Sequence, residues 1–548
     1  MTTAITTTTT GEHRMTEKLA ILWPEIFLFI GTCLVMLTGQ WPSRSIRQMT
    51  PWICATSLVL AFFAAMTSPT TQGMFPEIVP YAKMIIAAVG IMILMLLSGT
   101  VDRQLETDVD NGKPFQSIRS NRGEFYAFFM FSLTGLMLTA SADDLIWLFL
   151  ALELTSLPTY IMVAVSREED SALEASVKYF FLGALGAAIF LYGFALLYGA
   201  TGSTNLNEIA TVFANDGISS LGMTGMLVAV IGVSFKIAAV PMHFYTPDVY
   251  QGAASPVSAM LAFVPKTAGF LALMFLLGTV GWKDGHLPIE LEATLWIMAA
   301  LTMTVGNVLA LLQSSVKRIL AYSSIAHSGY MLVGIIAGPG AEGGAFYQNG
   351  LAAVLFYLFT YGVMTVGTFA VLASLEHRNG READHIDDIR GICKSHPLLG
   401  WTLVITVLST LGFPPLLGFI GKLGLFSAGI SSGHYALIVV LGINSAIAAC
   451  YYLRLIAVAY IDDAEKSGEP VYPTPFFMRP LAGLVSAGGV LLFMVMSGPI
   501  VDGAHNAATY VAPGHADHHH DEHHDDDHHT SDDHHPEEVA VLSETHDD

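Results

Sequence analysis

The run Leu227-Val228-Ala229-Val230-Ile231-Gly232-Val233-Ser234-Phe235-Lys236-Ile237-Ala238-Ala239-Val240-Pro241 places one charge in an otherwise apolar stretch and then meets a proline. About 20 apolar residues of helix cross the roughly 30 Å hydrocarbon core of a bilayer, and counted from Leu221 this segment is long enough. A lysine at the centre of such a helix costs roughly 2.5–3.5 kcal/mol on insertion scales, so it normally faces a polar interior and marks an ion or substrate path. Pro241 removes a backbone donor and frees a carbonyl, which at membrane depth is tolerated only where protein or water satisfies it. The stretch reads as a discontinuous membrane helix built beside a buried cation.

Similar apolar runs extend on both sides. They fall near 19–39, 51–67, 80–99, 124–141, 144–165, 176–200, 221–241, 254–279, 292–313, 318–337, 349–374, 398–430, 435–460 and 480–500, about fourteen transmembrane helices in an all-α polytopic membrane protein. Of 548 residues, 53% are hydrophobic and 13% charged, and the mean hydropathy is +0.55, which leaves little room for a soluble catalytic domain. The polar, Thr-rich segment 1–18 precedes a run too long for a signal-peptide core and without a convincing cleavage site, so Leu19–Gly39 is read as the first retained helix. Residues 19–510 form the membrane domain and 511–548 a polar tail.

Basic residues fix an expected orientation. With the N-terminus outside, the inside loops hold Arg44, Arg47, Arg103, Lys113, Arg119, Arg122, Arg167, Lys317, Arg318, Arg378, Arg381, Arg390, Lys394, Lys466 and Arg479, and the outside segments hold Arg14, Lys18, Lys83 and Lys283. Fifteen against four is a strong positive-inside bias, and both termini are expected in the periplasm of a bacterial inner membrane. Lys178, Lys236, Lys266, Lys422 and Arg454 remain at membrane depth or its edge. Lys178 and Arg454 are near enough to the cytoplasmic surface to snorkel, whereas Lys236, Lys266 and Lys422 lie too deep.

Lys422 also follows an interruption, Gly412-Phe413-Pro414-Pro415 and Gly418. Discontinuous helices at corresponding places in two halves point to a transport site, and packing kinks are the plainer reading of the same prolines. If segments 4–8 and 9–13 are two inverted five-helix repeats, Lys236 and Lys422 both occupy the fourth helix, in broken helices 7 and 12. That alignment sets Glu153 against His327 and Lys266 against Arg454.

Glu153 sits in Leu152-Glu153-Leu154-Thr155-Ser156-Leu157-Pro158, an otherwise uncharged span. Lys236 is its expected partner, since a nearby ammonium keeps a desolvated carboxylate ionised and the titrations of such a pair are coupled. A purely structural salt bridge would leave Lys266 and Lys422 unexplained, because no other acid lies at mid-membrane in segments 7 to 13. His327, in Ser323-Ser324-Ile325-Ala326-His327-Ser328-Gly329-Tyr330, fits either a proton shuttle or a hydrogen-bonded interior histidine.

The stretches Leu152 to Pro158, Glu174-Ala175-Ser176-Val177-Lys178-Tyr179, Phe235 to Gly252, Lys317 to Ser324 and Gly418-Phe419-Ile420-Gly421-Lys422 resemble the subunit N family of bacterial NADH-quinone oxidoreductase, respiratory complex I. The similarity spans roughly residues 19–500, and Thr246-Pro247-Asp248-Val249-Tyr250-Gln251-Gly252 distinguishes this family from the related antiporter-like subunits. The resemblance implies fourteen helices with two inverted repeats and a hydrated proton path. Glu153, Lys236, Lys266 and Lys422 fall on the family's path positions, and Lys178 on a further family lysine. It also implies that the complex passes electrons from NADH through FMN and iron–sulfur clusters to quinone, with all of these held by other subunits. No cofactor is expected on this chain: Cys33, Cys54, Cys393 and Cys450 form no ligand motif and there is no Gly-rich dinucleotide loop. Expected partners are the other membrane-arm subunits, the lipid bilayer and protons, with no nucleic acid.

The net charge of -22 is concentrated in the tail, where residues 515–548 hold thirteen acids, eleven histidines and no Lys or Arg. This composition cannot form a core and is expected to be disordered. His518, His519, His520, His523, His524, His528 and His529 are candidates for weak divalent-metal binding, against a plain solvated tail. A subunit of a cation/proton antiporter or of a related ion-pumping, hydrogenase-like complex would share the charge axis and is the alternative reading. A metal transporter would need clustered ligands within the helices, where the histidines here are isolated.

The charge asymmetry predicts that a reporter fused after Val511 is active only in the periplasm. Activity of a cytoplasm-specific reporter at that position would contradict the topology.

Overall fold

The computed structural model describes residues 3–71, 73–167, 169–283, 285–341, 344–461 and 470–512. The tail histidines and Lys466 lie outside the described residues. The main helices are α1 (Thr3–Gly39), α2 (Thr50–Met66), α3 (Ile78–Leu96), α4 (Arg122–Ala140), α5 (Leu145–Val165), α6 (Asp170–Thr201), α7 (Ser220–Ser234), α8 (Thr246–Gly252), α9 (Ser255–Val280), α10 (Ile289–Leu311), α11 (Val316–Ala337), α12 (Gly350–Ala373), α13 (Pro397–Leu411), α14 (Leu417–Ser431), α15 (Tyr435–Tyr460) and α16 (Met478–Val495). Short polar side chains start several of them: Asp144 accepts from the Ile146 amide at 2.7 Å, Ser219 from Gly222 at 3.1 Å, Ser315 from Arg318 at 3.2 Å and Asn349 from Ala352 at 2.9 Å.

Among the described residues twelve helices are long and apolar enough to cross a membrane. The two segments at 221–241 and 398–430, expected as broken helices, are interrupted: α7 ends at Ser234 and α8 begins at Thr246, and α13 ends at Leu411 and α14 begins at Leu417. The first helix starts at Thr3 rather than at Leu19, so its backbone donors at the start of the apolar run are satisfied within the helix.

The apolar windows of α9 and α12 are wholly buried, as is 94% of that of α11. They form the centre. Only 33% of the windows of α1 and α16 is buried, so their remaining apolar faces lie on the outside of the bundle. Helices α6 and α7 approach closely through glycine: a Cβ on Gly232 would stand 2.3 Å from the Phe190 amide nitrogen.

A short antiparallel pair, Leu375–His377 with Val471–Pro473, joins the segment after α12 to the segment before α16. Beside it, Glu382 accepts from the Ser255 amide at 2.9 Å and hydroxyl at 2.7 Å, and pairs with Lys317 at 3.0 Å and with Arg167. Burial would raise the proton affinity of Glu382, but Lys317 and Arg167 outweigh it and hold the carboxyl well below the usual carboxylate range. Several cations counted above as loop charges are therefore interior. Lys317 is fully buried on Glu382, Arg479 donates to the carbonyls of Ser98 at 2.9 Å and Ala373 at 2.8 Å, and Lys83 is buried within α3 at 2.7 Å from Glu25 of α1.

Glu382→Gln leaves two cations without their shared counter-charge, at a cost of about 3–5 kcal/mol. Its melting temperature in detergent should fall clearly below wild type at neutral pH. Because the folded carboxyl titrates below its unfolded value, this stabilisation is complete above the unfolded pKa of about 4.3 and the gap narrows as pH falls below it. Equal melting at pH 7 would show that the cluster contributes nothing.

Candidate functional site

The break after α7 places the first cation. Phe235 and Lys236 leave the helix, and Ala238 takes a left-handed conformation at φ 54°. The groups thereby exposed find partners in neighbouring elements: Tyr245 donates to the Phe235 carbonyl at 2.9 Å, Ser328 of α11 donates to the Ile237 carbonyl, and the Val240 amide donates to Thr302 of α10 at 2.9 Å. With its backbone satisfied, the bend turns the Lys236 ammonium toward α5. There it lies 3.0 Å from Glu153 Oε1, donates to Ser156 Oγ at 2.7 Å and to the Leu152 carbonyl at 3.4 Å, and stands 5.6 Å from the centre of the Phe190 ring. The Lys236 side chain is 1% exposed and that of Glu153 18%.

Lys266 follows Pro265 in the buried helix α9. Its ammonium donates to both the hydroxyl, at 2.7 Å, and the carbonyl of Ser324 on α11, and lies 4.6 Å from the Tyr361 ring centre. A cavity of about 10 Å³, the room of a single water, has Lys236 and Lys266 together in its wall with Tyr179, Tyr245, Tyr250 and Ser324. Tyr250 closes it by a 3.2 Å contact with the Ser324 hydroxyl.

One turn along α11, His327 is hydrogen-bonded at both ring nitrogens, Nδ1 to Tyr357 at 2.7 Å and Nε2 to Tyr452 at 2.9 Å. The second break lies beyond it. Lys422 donates at 2.6 Å to the carbonyl of Leu411, the last residue of α13, so the lysine caps the helix that the break leaves open. Gly412 makes room for it: its φ is +85°, and a Cβ there would lie 2.8 Å from Lys422 Cδ. The ammonium is 5.2 Å from the Tyr330 ring centre. Among the described residues no carboxylate forms an ion pair with Lys266 or Lys422. The axis therefore holds one carboxylate, three ammonium-bearing side chains and an imidazole, bridged by serine and tyrosine hydroxyls.

Lys178 stands apart. Its side chain is 44% exposed and pairs with Glu174 at 2.8 Å and Asp248 at 3.0 Å, and Asp248 also accepts from Arg318 at 2.8 Å. It ties α6 to α8 at the end of the broken segment. Asp248, Ser156, Ser324 and the tyrosines 250, 357 and 452 were not singled out as site residues from sequence; hydroxyls recurring beside charged residues in apolar helices were the available signal. The buried Glu25–Lys83 pair was also missed, because it joins two helices whose own sequences show no reciprocal pattern.

Comparison with known proteins places these features in a family context. Residues 142–448 match the family described as NADH:quinone oxidoreductase/Mrp antiporter, transmembrane. The NADH-quinone oxidoreductase subunit N of Trichlorobacter lovleyi is 36% identical over 508 residues, covering 90% of this chain and 98% of that protein. A chain of respiratory complex I from Thermus thermophilus superposes with a TM-score of 0.70 at 31% identity, covering 87% of this chain and 98% of that one. A chain of the Mrp complex from Dietzia sp. shares the fold, with a TM-score of 0.69 at 16% identity and coverage of 90% and 97%.

Proposed function

Because the chain belongs to the NADH:quinone oxidoreductase/Mrp antiporter transmembrane family as a subunit N of NADH-quinone oxidoreductase, we propose that Glu153, Lys236, Lys266, His327 and Lys422 are the groups through which it moves protons. The observation that carries this reading is the pair of buried lysines, Lys266 and Lys422, held by hydroxyl and carbonyl oxygens rather than by carboxylates. A structural ion pair neutralises its members, whereas an ammonium without a counter-charge at membrane depth is poised to give its proton away.

Glu153 keeps Lys236 charged while the two are in contact. When movement of α5 against the α7–α8 break parts them, Lys236 loses that counter-charge and releases its proton toward the small cavity and Lys266. Ser324 and Tyr250 supply the hydroxyls at that step. From Lys266 the proton passes along α11 by way of His327, whose tyrosine partners reach toward α12 and α15, to Lys422 at the second break. Three lysines along the axis carry protons and, when protonated, repel other cations, which favours a proton over a sodium ion as the species moved. Lys178, exposed and paired with Asp248, is assigned to holding α6 against α8 at the entrance rather than to the path itself.

The chain works with the other membrane-arm subunits of the complex. NADH, FMN, the iron–sulfur clusters and quinone are assigned to those other subunits, and the four scattered cysteines support an absence of redox chemistry here. The protein is placed in the bacterial inner membrane with both termini periplasmic. The polar tail from 511 is assigned no part in the proton path.

Glu153→Gln and Lys236→Ala should each lower NADH-driven proton pumping several-fold in inverted membrane vesicles, normalised to assembled complex. NADH-to-quinone turnover should fall with it, because the steps are coupled. Glu153→Asp keeps the charge and should lose less. Pumping near the wild-type value in Lys236→Ala would remove that lysine from the path and make the pair structural.

A further inference from the structure

A second cluster of chemistry-bearing side chains lies away from the proton axis, where the turn between α9 and α10 meets the turn between α14 and α15. The first turn is held by paired backbone hydrogen bonds of 2.9 Å between Lys283 and His286, with Gly285 at φ +81°. It presents His286 beside Glu292 in the first turn of α10, Nδ1 to Oε2 3.0 Å. From the other turn His434 follows Gly433 at φ +78°, and its Nδ1 lies 3.7 Å from Oε1 of the same Glu292. The two imidazole ring centres are 4.9 Å apart, and one ligand atom from each of the three residues lies within 4.8 Å of the others.

We propose that His286, Glu292 and His434 form a binding site for a divalent transition-metal ion of the zinc type, which ties the α9–α10 turn to the α14–α15 turn. Two imidazoles and a carboxylate match the borderline-soft character of zinc. Bond lengths of about 2.0–2.2 Å around a tetrahedral centre put neighbouring ligand atoms roughly 3.3–3.5 Å apart. His286 lies 3.0 Å from one oxygen of Glu292 and His434 3.7 Å from the other, and with all three ligand atoms within 4.8 Å, side-chain rotation brings them onto one centre.

A plain His286–Glu292 hydrogen bond accounts for only part of the cluster. The His434 side chain is 5% exposed, and its Nε2 is buried without a hydrogen-bond partner, an arrangement that costs free energy if the ring serves only as packing. His286 is half exposed, which leaves an entry route and a fourth coordination position open to water. His286 and His434 come from turns nearly 150 residues apart in sequence, so the ion would join elements that the chain itself does not link. The site is independent of the proton path and stands or falls separately from it.

The test is a zinc count on the intact, detergent-solubilised complex. Each preparation is equilibrated with micromolar zinc and a competing chelator, gel-filtered, and measured by elemental analysis. Wild type should retain one more zinc per complex than His286→Ala, Glu292→Gln or His434→Ala, each with its full tail, so that zinc held by the tail histidines or by other subunits cancels in the difference. His286→Ala removes an exposed side chain and should assemble normally, which separates loss of the ligand from misfolding. Zinc X-ray absorption of wild type minus His286→Ala should show nitrogen and oxygen neighbours at about 2.0–2.1 Å. An equal zinc count in wild type and His286→Ala would overturn the site and leave the three residues as a hydrogen-bonded contact.

Discussion

Every backbone donor and acceptor at membrane depth must find a partner inside the protein, and the two breaks in this bundle are where that requirement is hardest to meet. At the first break the partners are Tyr245, Ser328 and Thr302, contributed by three different elements. At the second, the partner of the Leu411 carbonyl is the Lys422 ammonium itself. The polar side chains that make the breaks tolerable are thus on or beside the proton axis. At the second break one side chain, Lys422, both closes the gap in the helix and belongs to the proposed proton path.

The arrangement of charge follows from it. Of the three deeply placed lysines, Lys236 is the one paired with the carboxylate of Glu153 among the described residues. Lys266 and Lys422 rest on oxygen dipoles and beside the rings of Tyr361 and Tyr330, which moderate a buried charge without neutralising it. Elsewhere the chain treats buried cations differently. Lys83 has Glu25, and Lys317 and Arg167 share Glu382, full ion pairs that suit fixed joints between helices. Lys266 and Lys422 thus differ from the buried cations that meet a carboxylate, a group that includes Lys236 on the axis itself.

Much of this was legible in the sequence, because the relevant signals are local. A lysine beside prolines in an apolar run, found twice, placed both breaks, and lone charges in apolar spans together with the family resemblance marked Glu153, Lys236, Lys266 and Lys422 as candidates. What stayed hidden depends on contacts between remote segments. Lys83 and Arg479 were counted with the loop charges, since a cation a turn inside a helix looks like a flanking one until its partner in another helix is known. Lys178 matched the family pattern, yet its surroundings are surface carboxylates. His286, Glu292 and His434 carry no motif at all, because their ligand spacing exists only after the two turns meet.

The central claim is that the Glu153–Lys236 contact opens and closes as the complex turns over. Redox-triggered infrared difference spectra of the assembled complex, taken on wild type and Glu153→Gln, address it directly. Proton transfer through the axis predicts a carboxylate band that changes on reduction by NADH in wild type and is missing from the Glu153→Gln spectrum. Superimposable difference spectra from the two proteins would mean that Glu153 keeps one environment throughout turnover, and that the pair is a fixed joint like Glu25 with Lys83.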